Sequence, residues 1–141
     1  MTEEEFIRGI DCAFPYDDRA AAERVIEEGA ALSANAAFMA LHEICRPSAS
    51  RRVERELQWE LLAAWRARFD HPLAGPVLRA ARAIIEGAPL AAAEALEVMR
   101  AIESHPGQYN ALAIVSFACE DEAVARVCEE ILARWRAGQG A

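Results

Sequence analysis

The sequence predicts an all-α protein, and three observations predict it. Alanine, the strongest helix former, dominates the composition, while strand formers such as Thr and Tyr are scarce. Apolar residues recur at i, i+3, i+4 and i+7, most regularly in Val124, Val127, Cys128, Ile131, Leu132 and Trp135. Breaker runs such as Pro15-Tyr16-Asp17-Asp18, His71-Pro72, Gly75-Pro76 and Ser104-His105-Pro106-Gly107 cut the chain into about eight segments of helical length.

The segments follow in order. The first helix is expected from Glu3 to Phe14, with Phe6, Ile7, Ile10, Ala13 and Phe14 on one side. Asp17 or Asp18 then caps a second helix that reaches Leu32 and turns Ala22, Val25, Ile26 and Gly29 inward. Ser33 caps a third, Ala34 to Cys45, interrupted only by Asn35, His42 and Glu43. The fourth is expected from near Ser50 to Phe69, burying Val53, Leu57, Leu61, Ala64 and Trp65. A fifth takes Pro76 as its first residue, where the missing amide hydrogen has no intrahelical partner, and ends at Gly87. The sixth begins at Pro89 and turns Ala92, Leu96, Met99 and Ile102 inward. The seventh, Tyr109 to Cys119, carries almost no polar side chain on any side apart from Asn110 and Ser116. An eighth closes the chain.

Helices apolar all round must be enclosed, by protein or by lipid. The third and seventh segments are too short to span a bilayer, so both are expected to be central helices sheathed by amphipathic neighbours.

Length, charge and the N-terminus bound the function. At 141 residues the chain suits a single domain with a core of its own. A net charge of −8 disfavours nucleic acid and anionic membrane surfaces, both of which demand cationic faces. The acidic start Met-Thr-Glu-Glu-Glu is unlike a signal peptide, so a cytoplasmic protein is expected. Cys12, Cys45, Cys119 and Cys128 lack CxxC spacing and read as reduced core residues. Acidic runs at Glu3-Glu4-Glu5 and Glu120-Asp121-Glu122 fall at helix starts, where they oppose the helix dipole.

The chain also resembles itself. Leu62-Ala63-Ala64-Trp65-Arg66-Ala67 matches Leu132-Ala133-Arg134-Trp135-Arg136-Ala137 at all but one position, and Ala20-Ala21-Ala22-Glu23 recurs as Ala91-Ala92-Ala93-Glu94. Two quasi-repeated four-helix units, about 3–69 and 76–137, would stack as antiparallel hairpins in a short α-α superhelix. That layout resembles the HEAT and armadillo proteins across most of the chain. Their consensus of Pro, Asp and Arg in each hairpin is absent, so no residue role carries over. A compact helical bundle is the alternative arrangement.

Chemistry-bearing residues are few. His42 and Cys45 lie three apart on one helix, a spacing that can hold a metal, but a closed ligand set is missing, and no metal or cofactor is expected. Ser116 has no exposing turn, and its hydroxyl is expected to bond a carbonyl one turn back. On the fourth helix, at ~100° per residue, Trp59 points away from the stripe of Leu57, Leu61 and Trp65. It shares that outer face with Arg52, Arg55 and Arg66, and Arg55 lies one turn away, within stacking reach of the indole. Trp and Arg are the residue types enriched at interface hot spots. The principal expectation is therefore a non-enzymatic protein-interaction module. Its candidate patch is Arg52, Arg55, Trp59 and Arg66, and its partner an acidic protein segment or a second copy. Two alternatives stand beside it. One is an enzyme or small-ligand binder with a pocket between the units, using His42, Cys45 and His105. The other is an acidic inhibitor or immunity-type protein that masks a basic partner.

Overall fold

A computed structural model of the protein describes residues 1–11, 13–47 and 52–139. Within them the chain is all-α, with eight helices. These are α1 (Glu3–Ile10), α2 (Arg19–Leu32), α3 (Ala34–Cys45), α4 (Arg55–Arg68), α5 (Ala74–Glu86), α6 (Ala92–Glu103), α7 (Tyr109–Ala118) and α8 (Glu122–Gln139). None of the described helices is long and apolar enough to cross a membrane.

The caps set the boundaries. Thr2, Asp18 and Ser33 each accept a hydrogen bond from an amide three residues on, which starts α1, α2 and α3. Gly87, at φ 72°, closes α5 in the left-handed conformation that costs glycine nothing. Glu3, Glu4 and Glu5 fill the first turn of α1 and Glu122 that of α8, on the favourable side of each dipole.

Four boundaries differ from the sequence expectation by more than one residue. The first helix ends at Ile10, because Phe14 is used instead in the following turn, buried against Tyr16 with ring centroids 4.9 Å apart. The fourth starts at Arg55 with 52–54 outside it, so Arg52 and Val53 are not helical; Ser50 lies outside the described residues. α5 begins two residues before Pro76, which still falls in the first turn, where its missing donor leaves no bond unmade. α6 starts at Ala92, not Pro89, because the Leu90 amide is held by the Ala118 carbonyl at 2.9 Å and Ala91 is extended.

Both halves of the chain use the same pairing scheme. In α1–α4, the first helix packs on the second and third, the second on the third and fourth, and the third on the fourth; α5–α8 do likewise. The halves meet through α3 on α7, α3 on α5 and α4 on α5. One continuous core runs through both. At its centre Phe38 of α3 meets Trp65 and Phe69, with centroids 5.8 and 5.4 Å away. The Trp65 indole N–H donates to the Ala37 carbonyl at 2.8 Å, so the largest core side chain leaves no polar atom unpaired. Between α3 and α7, Asn35 and Asn110 bond each other: the Asn110 backbone amide and side-chain amide both donate to Asn35 Oδ1 at 3.1 Å.

The two central helices are not alike. Ten of the twelve residues of α3 are buried. On α7 the residues Ala111, Leu112, Ile114, Val115 and Ala118 are buried, but Tyr109, Ala113 and Phe117 form an exposed stripe at i, i+4 and i+8. Tyr109 and Phe117 each keep 38% of their surface accessible. Full sheathing holds for α3 and fails for α7, because among the described helices only α3, α5, α6 and α8 pack on α7, and they leave this stripe open. Ser116 departs from expectation too: its hydroxyl donates to Cys128 Sγ on α8 at 3.3 Å rather than to its own helix.

Candidate protein-binding groove

Arg55, Trp59, Ala63 and Arg66 recur at helical spacing on one stripe of α4. Leu78, Arg82 and Glu86 do the same on α5. Because α5 follows α4 after a short turn and packs beside it, the two stripes run side by side. Between them lies a groove of ≈ 600 Å³, lined by Trp59, Leu62, Arg66, Leu78, Arg82 and Glu86 among others. It sits at the seam between the two halves of the chain. Leu62 and Leu78 make an apolar floor, with Arg66 and Arg82 exposed beside it.

Trp59 has a double role. Part of its indole packs against the core and part lines the groove. Arg66 is steadied by donating to the Phe69 carbonyl at 3.2 Å. Carboxylates outnumber basic residues 23 to 15, and an arginine can reach one on a neighbouring helix. Arg19, Arg68, Arg79 and Arg134 do so across helix pairs, although Arg24, Arg46, Arg52, Arg100, Arg126 and Arg136 make no ion pair among the described residues. Arg55, Arg66 and Arg82 have no ion-pair partner among the described residues.

The structure brings together only part of the sequence-predicted patch. Arg55, Trp59 and Arg66 share the α4 stripe. Arg52 lies before the helix, beside Tyr16, Asp17 and Val53 in a separate depression. Among the described residues the guanidinium–ring stack is Arg46 over Phe117, at 3.9 Å, not Arg55 over Trp59. Arg82 and Glu86 were missed by sequence reasoning, because a partner stripe on α5 becomes meaningful only once α4 and α5 are known to lie side by side.

His42, Cys45 and His105 do not converge. His42 and Cys45 occupy the last turn of α3. His105 precedes α7, whose start meets the start of α3 through the Asn35–Asn110 bonds. Seven helical residues, about 10 Å, separate Asn35 from His42 along α3. The Cys45 thiol donates weakly to the His42 carbonyl at 3.6 Å, and burial pushes its pKa up to about 12, so it is a thiol and not a nucleophilic thiolate. Burial, and then the charge of Arg46, hold His42 below the ordinary imidazole value, against a smaller opposing pull from Asp11. Its Nδ1 is buried without a hydrogen-bond partner among the described residues.

His105 instead meets His71, with ring centroids 5.1 Å apart. The sequence signal for this pair was the repeated His-Pro dipeptide, which sequence reasoning assigned to turns. No group of three or more His, Cys, Asp or Glu side chains among the described residues could hold a metal ion. Cys45, Cys119 and Cys128 are free thiols, and Cys12 lies outside the described residues.

Compared with protein-family models, with curated proteins and with solved structures, the chain matches none.

Proposed function

We propose that this protein is a non-enzymatic interaction module that binds an acidic, amphipathic helical segment of another protein in the α4–α5 groove. One observation carries the reading: Arg66 and Arg82, neither ion-paired among the described residues, line one groove with an apolar floor and a half-covered tryptophan, and Arg55 continues the same α4 stripe. An apolar face on the incoming helix would cover Leu62, Leu78 and the free part of Trp59. Its carboxylates would meet Arg55, Arg66 and Arg82, where planar guanidinium groups favour paired hydrogen bonds. The shared pairing scheme of the two halves supports reading the scaffold as quasi-repeats of a short α-α superhelix, a form suited to extended binding surfaces. Net charge −8 opposes close approach of any acidic partner, a second copy included, so an acidic segment is favoured only locally, where Arg66 and Arg82 line the groove.

The test is selection from a randomised displayed library of helical peptides, using the folded chain as bait. Acidic amphipathic winners whose affinity falls at least roughly tenfold with Trp59→Ala or Arg66→Glu support the groove, at the magnitude expected for hot-spot residues. Winners that are basic, or that bind the double variant as well as the parent, contradict it. Sedimentation of the chain alone, showing a dimer abolished by the same variants, would assign the groove to self-association and overturn the acidic-ligand reading.

A further inference from the structure

Two His-Pro dipeptides, one after α4 and one after α6, are distant in sequence and adjacent in space. The His71 ring stacks on Phe69, with centroids 5.5 Å apart and planes at 7°. It meets the edge of Phe38 at 6.0 Å and that of His105 at 5.1 Å. Its Nδ1 accepts a hydrogen bond from the Leu73 amide at 3.0 Å. Leu73 is the residue from which α5 departs. That bond is the local i to i+2 bond an Asn or Asp side chain makes in a turn, here made by an imidazole.

An Nδ1 that accepts must carry no proton, so the neutral ring holds its proton on Nε2. Protonation adds a proton at Nδ1. The Leu73 amide then faces a donor and loses its partner, and the new cation sits beside the His105 ring.

The geometry points to an acid-sensitive latch at the seam between the two halves of the chain, in which neutral His71, packed against the His105 ring, holds the α4–α5 turn against the α6–α7 loop and protonation of His71 releases it. Each element around His71 can be checked for opposing charge. α3 presents Phe38, the end of α4 presents Phe69, and α5 presents the Leu73 amide. The groups that act on its charge are His105, from the α6–α7 loop, and its neighbour Asp70. Burial, then His105, lower its proton affinity from the ordinary 6.5, and the opposing pull of Asp70 is the smallest of the three. The native ring therefore resists protonation where the unfolded chain does not. The latch is closed above about pH 6.5 and opens at lower pH, as pH falls through the lowered native value of His71. It does not depend on what occupies the α4–α5 groove.

The test is an NMR titration of the full chain from pH 8 to 5, with histidine side chains and the Leu73 amide followed together. The latch requires His71 to titrate below 6.5. It also requires the protection of the Leu73 amide, corrected for intrinsic exchange, to drop roughly fivefold as His71 titrates, the equilibrium factor of one lost hydrogen bond. His71→Asn supplies a second arm, because an Asn oxygen can take the place of Nδ1 as acceptor and cannot titrate. In that variant Leu73 protection should stay level across the range. Replacing His105 by Asn should raise the titration point of His71. A Leu73 amide that keeps its protection while His71 titrates in the parent chain would overturn the latch. So would an identical loss of protection in His71→Asn.

Discussion

α3 and α7 begin alike and end differently. Both are short apolar helices, each packed on its neighbours by the same pairing scheme, and each contributes an asparagine to the bond that joins them. Yet α3 is covered by α1, α2, α4, α5 and α7, whereas α7 is covered by α3, α5, α6 and α8. The missing neighbour leaves Tyr109, Ala113 and Phe117 partly exposed, with the Tyr109 ring 5.5 Å from that of Trp135 on α8. Local hydrophobicity therefore says that a helix is central, and the number of helices around it decides how far it is covered. Arg46 softens the exposure by laying its guanidinium over Phe117, a cation–π contact at the open edge.

The contrast can be broken most forcefully on α3. Phe38→Ala empties a site enclosed by Trp65, Phe69 and His71, and should cost about 3–5 kcal/mol in chemical denaturation. Gly29→Ala probes the close approach of α2 to α3. A Cβ there would lie 2.9 Å from Phe6 Cζ and 3.2 Å from the Ala36 carbonyl oxygen. Backbone of α3 cannot yield as a side chain can, so a loss of roughly 1–3 kcal/mol is expected. Asn35 and Asn110, replaced singly and together by Ala, should show a coupling energy of about 0.5–1.5 kcal/mol from the one side chain–side chain bond, since the bonds that use the Asn110 amide and the Asn35 carbonyl each survive one of the single replacements. Near-zero coupling would mean that this side-chain bond adds nothing to the packing of α3 on α7.

Acidification should act more mildly and in one direction. His42 and His71 both have native proton affinities below the ordinary 6.5, so the unfolded chain takes up protons first as pH falls. Their contribution to stability is complete above about pH 6.5 and declines as pH drops from there toward the native values. Denaturation midpoints measured from pH 7.5 to 5 should fall, and His42→Gln with His71→Asn should flatten that slope. Smallest of all is the effect on the open side of α7. Phe117→Ala should change stability by no more than about 1 kcal/mol, most of it the lost contact with Arg46.

Much of this fold was legible in the sequence. Eight segments, the caps at Asp18 and Ser33, the left-handed Gly87 and the inward stripe of α8 follow from local chemistry, and local chemistry is what a sequence carries. Boundaries next to prolines were less legible. Leu90 stays outside α6 with its amide bonded to Ala118, a residue far along the chain. Exposure of α7 could not be read at all, because an apolar stripe looks the same whether or not a neighbour covers it. The candidate groove was half visible. Trp59 and Arg66 stood out on α4, but their counterparts Arg82 and Glu86 gain meaning only from the side-by-side packing of α5. His71 and His105 were visible as a repeated dipeptide, and their meeting in space was not.

Hydroxyl-radical footprinting of the folded chain tests the asymmetry of the two central helices most directly. Tyr109 and Phe117 should be oxidised readily, while Phe38, Leu41 and Ile44 stay protected until the protein unfolds. Equal protection of Phe117 and Phe38 would contradict the account, and so would ready oxidation of α3 under native conditions.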